Sequence, residues 1–279
     1  MYASYVALGD SFTEGLDDRR PDGSFRGWAD RVADELAARS PGFRYANLAV
    51  RGRRMAQIRE QQLPRALEMA PELITVAAGG NDIIGFRCDV PALSADMHDL
   101  LVQLTGTGAD VLVFTGFNPT GRLPAGRLLA ARAAAFNVSV AQSAAELGAR
   151  VVDLWAMTAL YRDSRWAADR LHLSTAGHEL VAAQVLRALA LAPGQVGPGQ
   201  AAPGGAAPGG AAPGGAQVDG QVDDGQDVPA RWVDARRADV DWARTYFAPW
   251  VGRKVRGRST GDQVVAKLPE LTPLHSGCA

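Results

Sequence analysis

The sequence predicts an α/β protein with a three-layer, flavodoxin-like arrangement around a five-stranded, mainly parallel sheet. Two observations lead there. Over residues 1–192, short apolar or β-branched runs alternate with longer stretches of helical periodicity. The chain has 279 residues, 47% of them hydrophobic and 21% charged, which suffices for one large core. Strands that alternate with helices imply βαβ crossovers, hence a parallel sheet covered on both faces.

The strand runs fall at 5–8, 45–50, 73–78, 111–117 and 151–155. Helical stretches lie between and after them, at 28–39, 53–69, 90–104, 127–147 and 175–191. In the third, Val90, Leu93, Met97, Leu100 and Leu104 recur at three- and four-residue steps and build one apolar stripe. The pattern then stops. Residues 193–215 hold 14 Gly or Pro among 23, with Ala-Ala-Pro-Gly-Gly repeated, and an acidic stretch with Asp219, Asp223, Asp224 and Asp227 follows. Such a stretch buries too little apolar surface to offset its ordering entropy, so 193–228 is expected to be a flexible linker.

Residues 229–279 carry three of the six tryptophans, Trp232, Trp242 and Trp250, and nine Lys or Arg against five Asp or Glu. Val233, Val240, Ala243, Phe247 and Trp250 are spaced as an amphipathic helix that should end before Pro249. About 45 residues without disulfides or metal seldom sustain a core of their own, so this Trp-rich segment is expected to dock on the α/β domain, 1–192.

The formal charge is −1 and the isoelectric point about 6.4, so no overall field favours nucleic acid. Cys88 and Cys278 form no CxxC pair, and no His/Asp/Glu cluster has metal-ligand spacing. Phosphate-binding glycine motifs are missing, and the reading includes no cofactor and no metal. No apolar run approaches the ~18 residues of a membrane span, and the amino terminus has neither a basic region nor an apolar core of a secretory signal; the expectation is a cytoplasmic protein. Arg253, Lys254, Arg256 and Arg258 are read as a solvated face or a pairing with the domain, with contact to an anionic lipid, as in peripheral membrane binding, or to nucleic acid as the alternative.

In an open parallel sheet, ligands bind beyond the carboxyl ends of the strands, where strand order reverses. The residues that follow the five strands are Gly9-Asp10-Ser11, Arg51-Gly52-Arg53, Gly79-Gly80-Asn81-Asp82, Gly116-Phe117-Asn118 and, after a loop, Asp169-Arg170-Leu171-His172. Together they supply the parts of an acyl-transfer site: nucleophile, base, orienting acid and oxyanion donors. Of the four histidines, His98 reads as solvated surface beside Asp96 and Asp99, His275 lies near the end, and His178 in the last helix reads as structural. His172 has a carboxylate three residues before it, a spacing that lets Asp169 reach the ring nitrogen distal to a serine. Arg51, Arg53 and Arg54 flank Gly52, either as rim charges that favour an anionic substrate or as ordinary surface charge.

Taken in order, Gly9-Asp10-Ser11, Gly52, Gly79-x-Asn81-Asp82 and Asp169-x-x-His172 resemble the SGNH (GDSL-type) hydrolase family over about residues 1–192. The resemblance implies Ser11 as nucleophile, His172 as general base and Asp169 as its partner. It implies an oxyanion hole from the Ser11 and Gly52 N–H groups and the Asn81 amide. Phe12 stands where the family name has Leu, a change that touches no catalytic atom. Asp10 and Asp82 are assigned to bracing loops. The expected activity is hydrolysis of a small-molecule carboxylic or thio ester. Rival readings are an acyltransferase or thioesterase on the same site, a non-catalytic binding module, and an interaction protein whose Trp-rich tail is the working part.

Overall fold

The computed structural model describes residues 1–123, 125–190, 237, 239–256 and 259–274; the linker read at 193–228, with Trp232, Val233, His275 and Cys278, lies outside them. The chain runs β1 (Ser4–Gly9), α1 (Ser11–Glu14), α2 (Gly27–Ala37), β2 (Arg44–Asn47), α3 (Met55–Gln61), α4 (Leu63–Met69), β3 (Leu73–Ala77) and α5 (Gly80–Ile83). It continues through α6 (Val90–Thr105), β4 (Asp110–Phe114), α7 (Gly126–Leu147), β5 (Arg150–Val152) and α8 (Thr175–Ala188). The C-terminal segment adds a π-helical turn (Ala243–Phe247), α9 (Ala248–Val255) and β6 (Leu268–Pro273).

The sheet has six strands, not five, in the order β5-β4-β3-β1-β2-β6. The first five are parallel, and β6 lies antiparallel on β2 at the edge. Its sequence, Leu-Pro-Glu-Leu-Thr-Pro, hid it: the two prolines remove ladder donors and restrict such a strand to an edge. Leu274 N–H donates to Phe43 O (3.0 Å), and the Arg44 guanidinium donates to Leu271 O (3.2 Å).

Successive residues of β1 point to opposite faces. Tyr5 and Ala7 join a core with Trp28, Leu36, Phe114 and Val185, beneath α2 and α8. Val6 and Leu8 join the core under α3, α4, α6 and α7, which includes Ile58, Leu100 and Phe136. Each such apolar side chain, once fully buried, contributes roughly 1.5–3 kcal/mol. The stripe of α6 is buried as its spacing requires, at Leu93, Met97, Leu100 and Leu104.

Three element ends differ from expectation for local reasons. The 53–69 stretch is two helices, broken ahead of Pro64. Strand β2 stops at Asn47, whose buried side chain takes the Ala49 N–H (3.1 Å) in a turn. The C-terminal helix does not end before Pro249 but runs through it. In the π turn that precedes it, Ala248 N–H reaches back to Ala243 O, and this wider turn makes room for the proline ring. His98 is also not simply surface: it is half-buried between α6 and α7, with Nδ1 3.2 Å from Ser143 Oγ.

Candidate active site

Strand order reverses between β1 and β3, and the residues that leave these strands meet there. Gly9 ends β1 with an extended backbone clamped by the buried Gln62, which accepts from Gly9 N–H and donates to Gly9 O (both 2.8 Å). Asp10 then caps α1 by accepting from Phe12 N–H (3.1 Å), so Ser11 is the first residue of a short helix and its N–H is left free of that helix.

His172 arrives from the loop before α8. Its Nε2 lies 3.0 Å from Ser11 Oγ, and its Nδ1 lies 2.5 Å from Asp169 Oδ2. Asp169 Oδ1 also accepts the N–H groups of Leu171 and His172 (3.0 Å each), which closes the loop on itself. Arg170 within it holds a left-handed backbone at φ 60°. Burial pulls the His172 pKa down, but the hydrogen bond and charge of Asp169, aided by Asp17 and Asp10, outweigh it and raise the imidazole above its usual value. Asp169 moves the other way: burial opposes ionisation, and the bond to His172 prevails and lowers its pKa.

Gly52 occupies the loop after β2 at φ 74°, a conformation that favours glycine. A Cβ there would strike Ser259 Oγ of the C-terminal segment at 2.1 Å. Glu14 holds this loop against α1, accepting from Arg51 N–H (2.7 Å) and Arg51 Nε (3.0 Å). Among the described residues, neither the Ser11 nor the Gly52 N–H has an acceptor. Asn81 is different: its amide donates to Asp10 Oδ2 (2.8 Å) and to Arg53 O (3.1 Å). Burial raises the Asp10 pKa to about 6. Asp82 accepts from Met55 N–H (3.0 Å), which ties α5 to α3.

Of the three arginines flanking Gly52, only Arg51 lines the cleft, and its charge is paired with Glu14. His178 lines the smaller cavity but is held by the backbone. Its Nδ1 accepts from Trp28 N–H and its Nε2 faces Leu16 O (3.2 Å each), and burial lowers its pKa to about 4. Phe12 matters more than its spacing suggested, because it packs on Trp28 and Phe114 and lines the cleft beside Ser11. Sequence reasoning missed Asp17, whose Oδ2 is 3.6 Å from His172 Nδ1, and also Glu14 and Gln62; nothing in their local spacing marks them. Asp17, Asp169 and His172 bring candidate ligand atoms within 4.8 Å of one another, a cluster invisible in linear spacing. A cation there would compete for the Nδ1 that Asp169 uses to orient the ring.

Two cavities meet at Ser11 and His172. One, of about 110 Å³, is walled by Phe12, Ala77, Phe114, Phe117, Leu154 and Leu173. The other, of about 540 Å³, extends under the C-terminal helix.

The sequence model of the GDSL-like Lipase/Acylhydrolase family matches residues 7–180. The chain belongs to this family. It is a hydrolase acting on ester bonds, with the family's α/β fold. Its fold is similar to that of an acetylxylan esterase from Geobacillus stearothermophilus, solved as a catalytic mutant, at TM-score 0.59 and 19% identity over 69% of this chain and 97% of that one. An alpha/beta hydrolase enzyme from the metagenome of Lake Arreo, Spain, aligns at TM-score 0.57 and 20% identity, over 68% and 95%. The psychrotrophic esterase EstA from Pseudoalteromonas sp. aligns at TM-score 0.54 and 14% identity, over 67% and 97%. No curated protein matches the chain. These three structures are covered almost entirely, whereas about a third of this chain lies outside the shared fold. No helix among the described residues is long and apolar enough to cross a membrane.

Proposed function

We propose that this GDSL-like hydrolase is a serine esterase that cleaves short-chain carboxylic esters through an acyl-enzyme on Ser11. The observation that carries this reading is the relay Asp169–His172–Ser11, with contacts of 2.5 and 3.0 Å, at the junction of the two cavities. Ser11 Oγ attacks the ester carbonyl while His172 Nε2 takes its proton, and Asp169 holds the Nδ1 proton and stabilises the imidazolium. The Ser11 and Gly52 N–H groups, both without acceptors among the described residues, receive the oxyanion. Asn81 joins them by yielding its longer bond, that to Arg53 O. The alcohol leaves with the proton from His172, and a water activated by the same base then releases the acid. The smaller cavity, about 110 Å³ and mostly apolar, takes the acyl group and favours two to four carbons over eight or twelve.

An active-site phosphonate and p-nitrophenyl esters of two, four, eight and twelve carbons test this. Ser11 should be labelled and the rate should fall steeply beyond four carbons. Folded protein that neither reacts with the phosphonate nor hydrolyses any ester would overturn the reading.

A further inference from the structure

The larger cavity has no counterpart in the chemistry described so far. Its floor is the catalytic rim, with Gly52, Asp169 and His172. Its roof comes from the C-terminal segment, where Trp242, Tyr246, Phe247 and Arg253 line it. This roof is fastened to the catalytic loop itself. Arg170, between Asp169 and His172, forms an ion pair with Asp239 (2.7 Å), and its guanidinium lies 5.1 Å from the Trp242 ring centre. Further along, Ser259 packs over Gly52, and Lys267 reaches into the body beside Glu14 and Asp30.

The polar groups facing this cavity are unevenly distributed. The carboxylates Asp17 and Asp169 gather at His172. Arg51 is matched by Glu14. Arg19 and Arg253 have no carboxylate within 4 Å among the described residues, and Arg19 stacks on Phe25 (4.7 Å). An apolar, aromatic wall with two guanidinium groups that make no ion pair among the described residues matches a bulky apolar body that carries a negative charge.

We propose that the C-terminal segment completes a leaving-group compartment, and that this compartment selects esters whose alcohol part is a bulky apolar body bearing an anionic group. The inference rests on Ser11 being the nucleophile, because that places the scissile bond at the junction, with the acyl group in the smaller cavity and the alcohol in the larger. Trp242, Tyr246 and Phe247 supply the apolar contact, and Arg19 and Arg253 the charge recognition.

The test uses the full chain and three aryl acetates that share one acyl group: 4-sulfophenyl, 4-methylphenyl and 4-(trimethylammonio)phenyl acetate. Each variant is compared with wild type on each ester, so intrinsic leaving-group reactivity cancels. Replacing both arginines (Arg19→Gln with Arg253→Gln) should lower kcat/KM for the sulfonate about tenfold more than for the methyl ester, mostly through KM. Arg253→Lys alone should keep most of the preference, and added salt should erode it in wild type. Trp242→Ala should raise KM for all three esters. Calorimetry of 4-hydroxybenzenesulfonate, the released alcohol, should show binding that the double variant weakens by a similar factor. Active enzyme whose losses are equal across the charge series, or which binds the sulfonate and its methyl analogue alike, overturns the inference alone. Absence of phosphonate labelling at Ser11 in wild type would overturn the proposed esterase and this inference together.

Discussion

The body of the enzyme and its C-terminal segment are held by different forces. Around β1, β3 and β4 the contacts are apolar and layered on both sheet faces, with Tyr5, Leu8, Ile74 and Val113 fully buried. The segment from 239 to 274 attaches largely through polar anchors: Arg170–Asp239, the β6 edge ladder, and Lys267. Lys267 Nζ donates to Glu14 O (2.7 Å), Arg26 O (2.9 Å) and Asp30 Oδ2 (2.6 Å). Apolar layers tolerate the loss of a contact gradually, whereas a half-dozen polar anchors can be lost one at a time. The proposed relay thus belongs to the apolar-packed part of the molecule, and the wall of the larger cavity to the part held by polar anchors.

The largest expected effect tests the apolar-packed part. Ser11→Ala and His172→Ala should each remove at least about 10⁴-fold of kcat while circular dichroism stays native. A variant of either residue with a few per cent of wild-type turnover would move the chemistry elsewhere. Asn81→Ala should cost about 10²–10³ in kcat, and a loss below tenfold would leave it as only a brace for Asp10 and the Arg53 loop.

Lys267→Ala separates the two regions directly. It leaves Asp30 buried without its ammonium partner, which costs about 3 kcal/mol. Hydrogen exchange should show protection falling first in 259–274; equal loss in β1 and β3 would mean that body and segment open as one unit.

Acid should instead act on the body. His178 is buried and neutral, with its pKa lowered from 6.5 to about 4. A depressed folded pKa means that the unfolded chain binds more protons between those values. The stabilisation is therefore complete above about pH 6.5 and is lost as pH falls toward 4, on the order of 3 kcal/mol. Chemical denaturation of wild type and His178→Gln across that window should show the variant with a flatter pH dependence.

The smallest effect concerns tuning. Because the His172 pKa is raised, its basic form and hence kcat/KM should appear with a midpoint above pH 6.5. Asp17→Asn removes one of the charges that raise it, so the acid limb should move to lower pH with little change in the plateau.

The two regions also differed in how far they could be read from sequence. Strands β1, β3 and β4 are short runs of apolar or β-branched residues, and the α6 stripe follows helical spacing, so both declare themselves locally. Ser11 and the Asp169-x-x-His172 pair were legible because turn and strand context bring them to one rim. Glu14, Asp17 and Gln62 were not, since each acts on a group brought close only by the finished sheet. The β6 strand was concealed by Pro269 and Pro273, and the helix through Pro249 by a π turn that no periodicity of 3.6 encodes.

The position of β6 has a consequence for how this protein is made. Arg44 and Leu271 are 227 residues apart in sequence, yet they are neighbours on the sheet edge. During synthesis the five parallel strands are available long before β6, and β2 then presents an unpaired ladder to the surrounding solution. Any chain released before residue 268 keeps Ser11 and His172 but leaves the β2 edge unpaired. Protection of this edge therefore falls on β6, which covers β2 only after the parallel strands are in place.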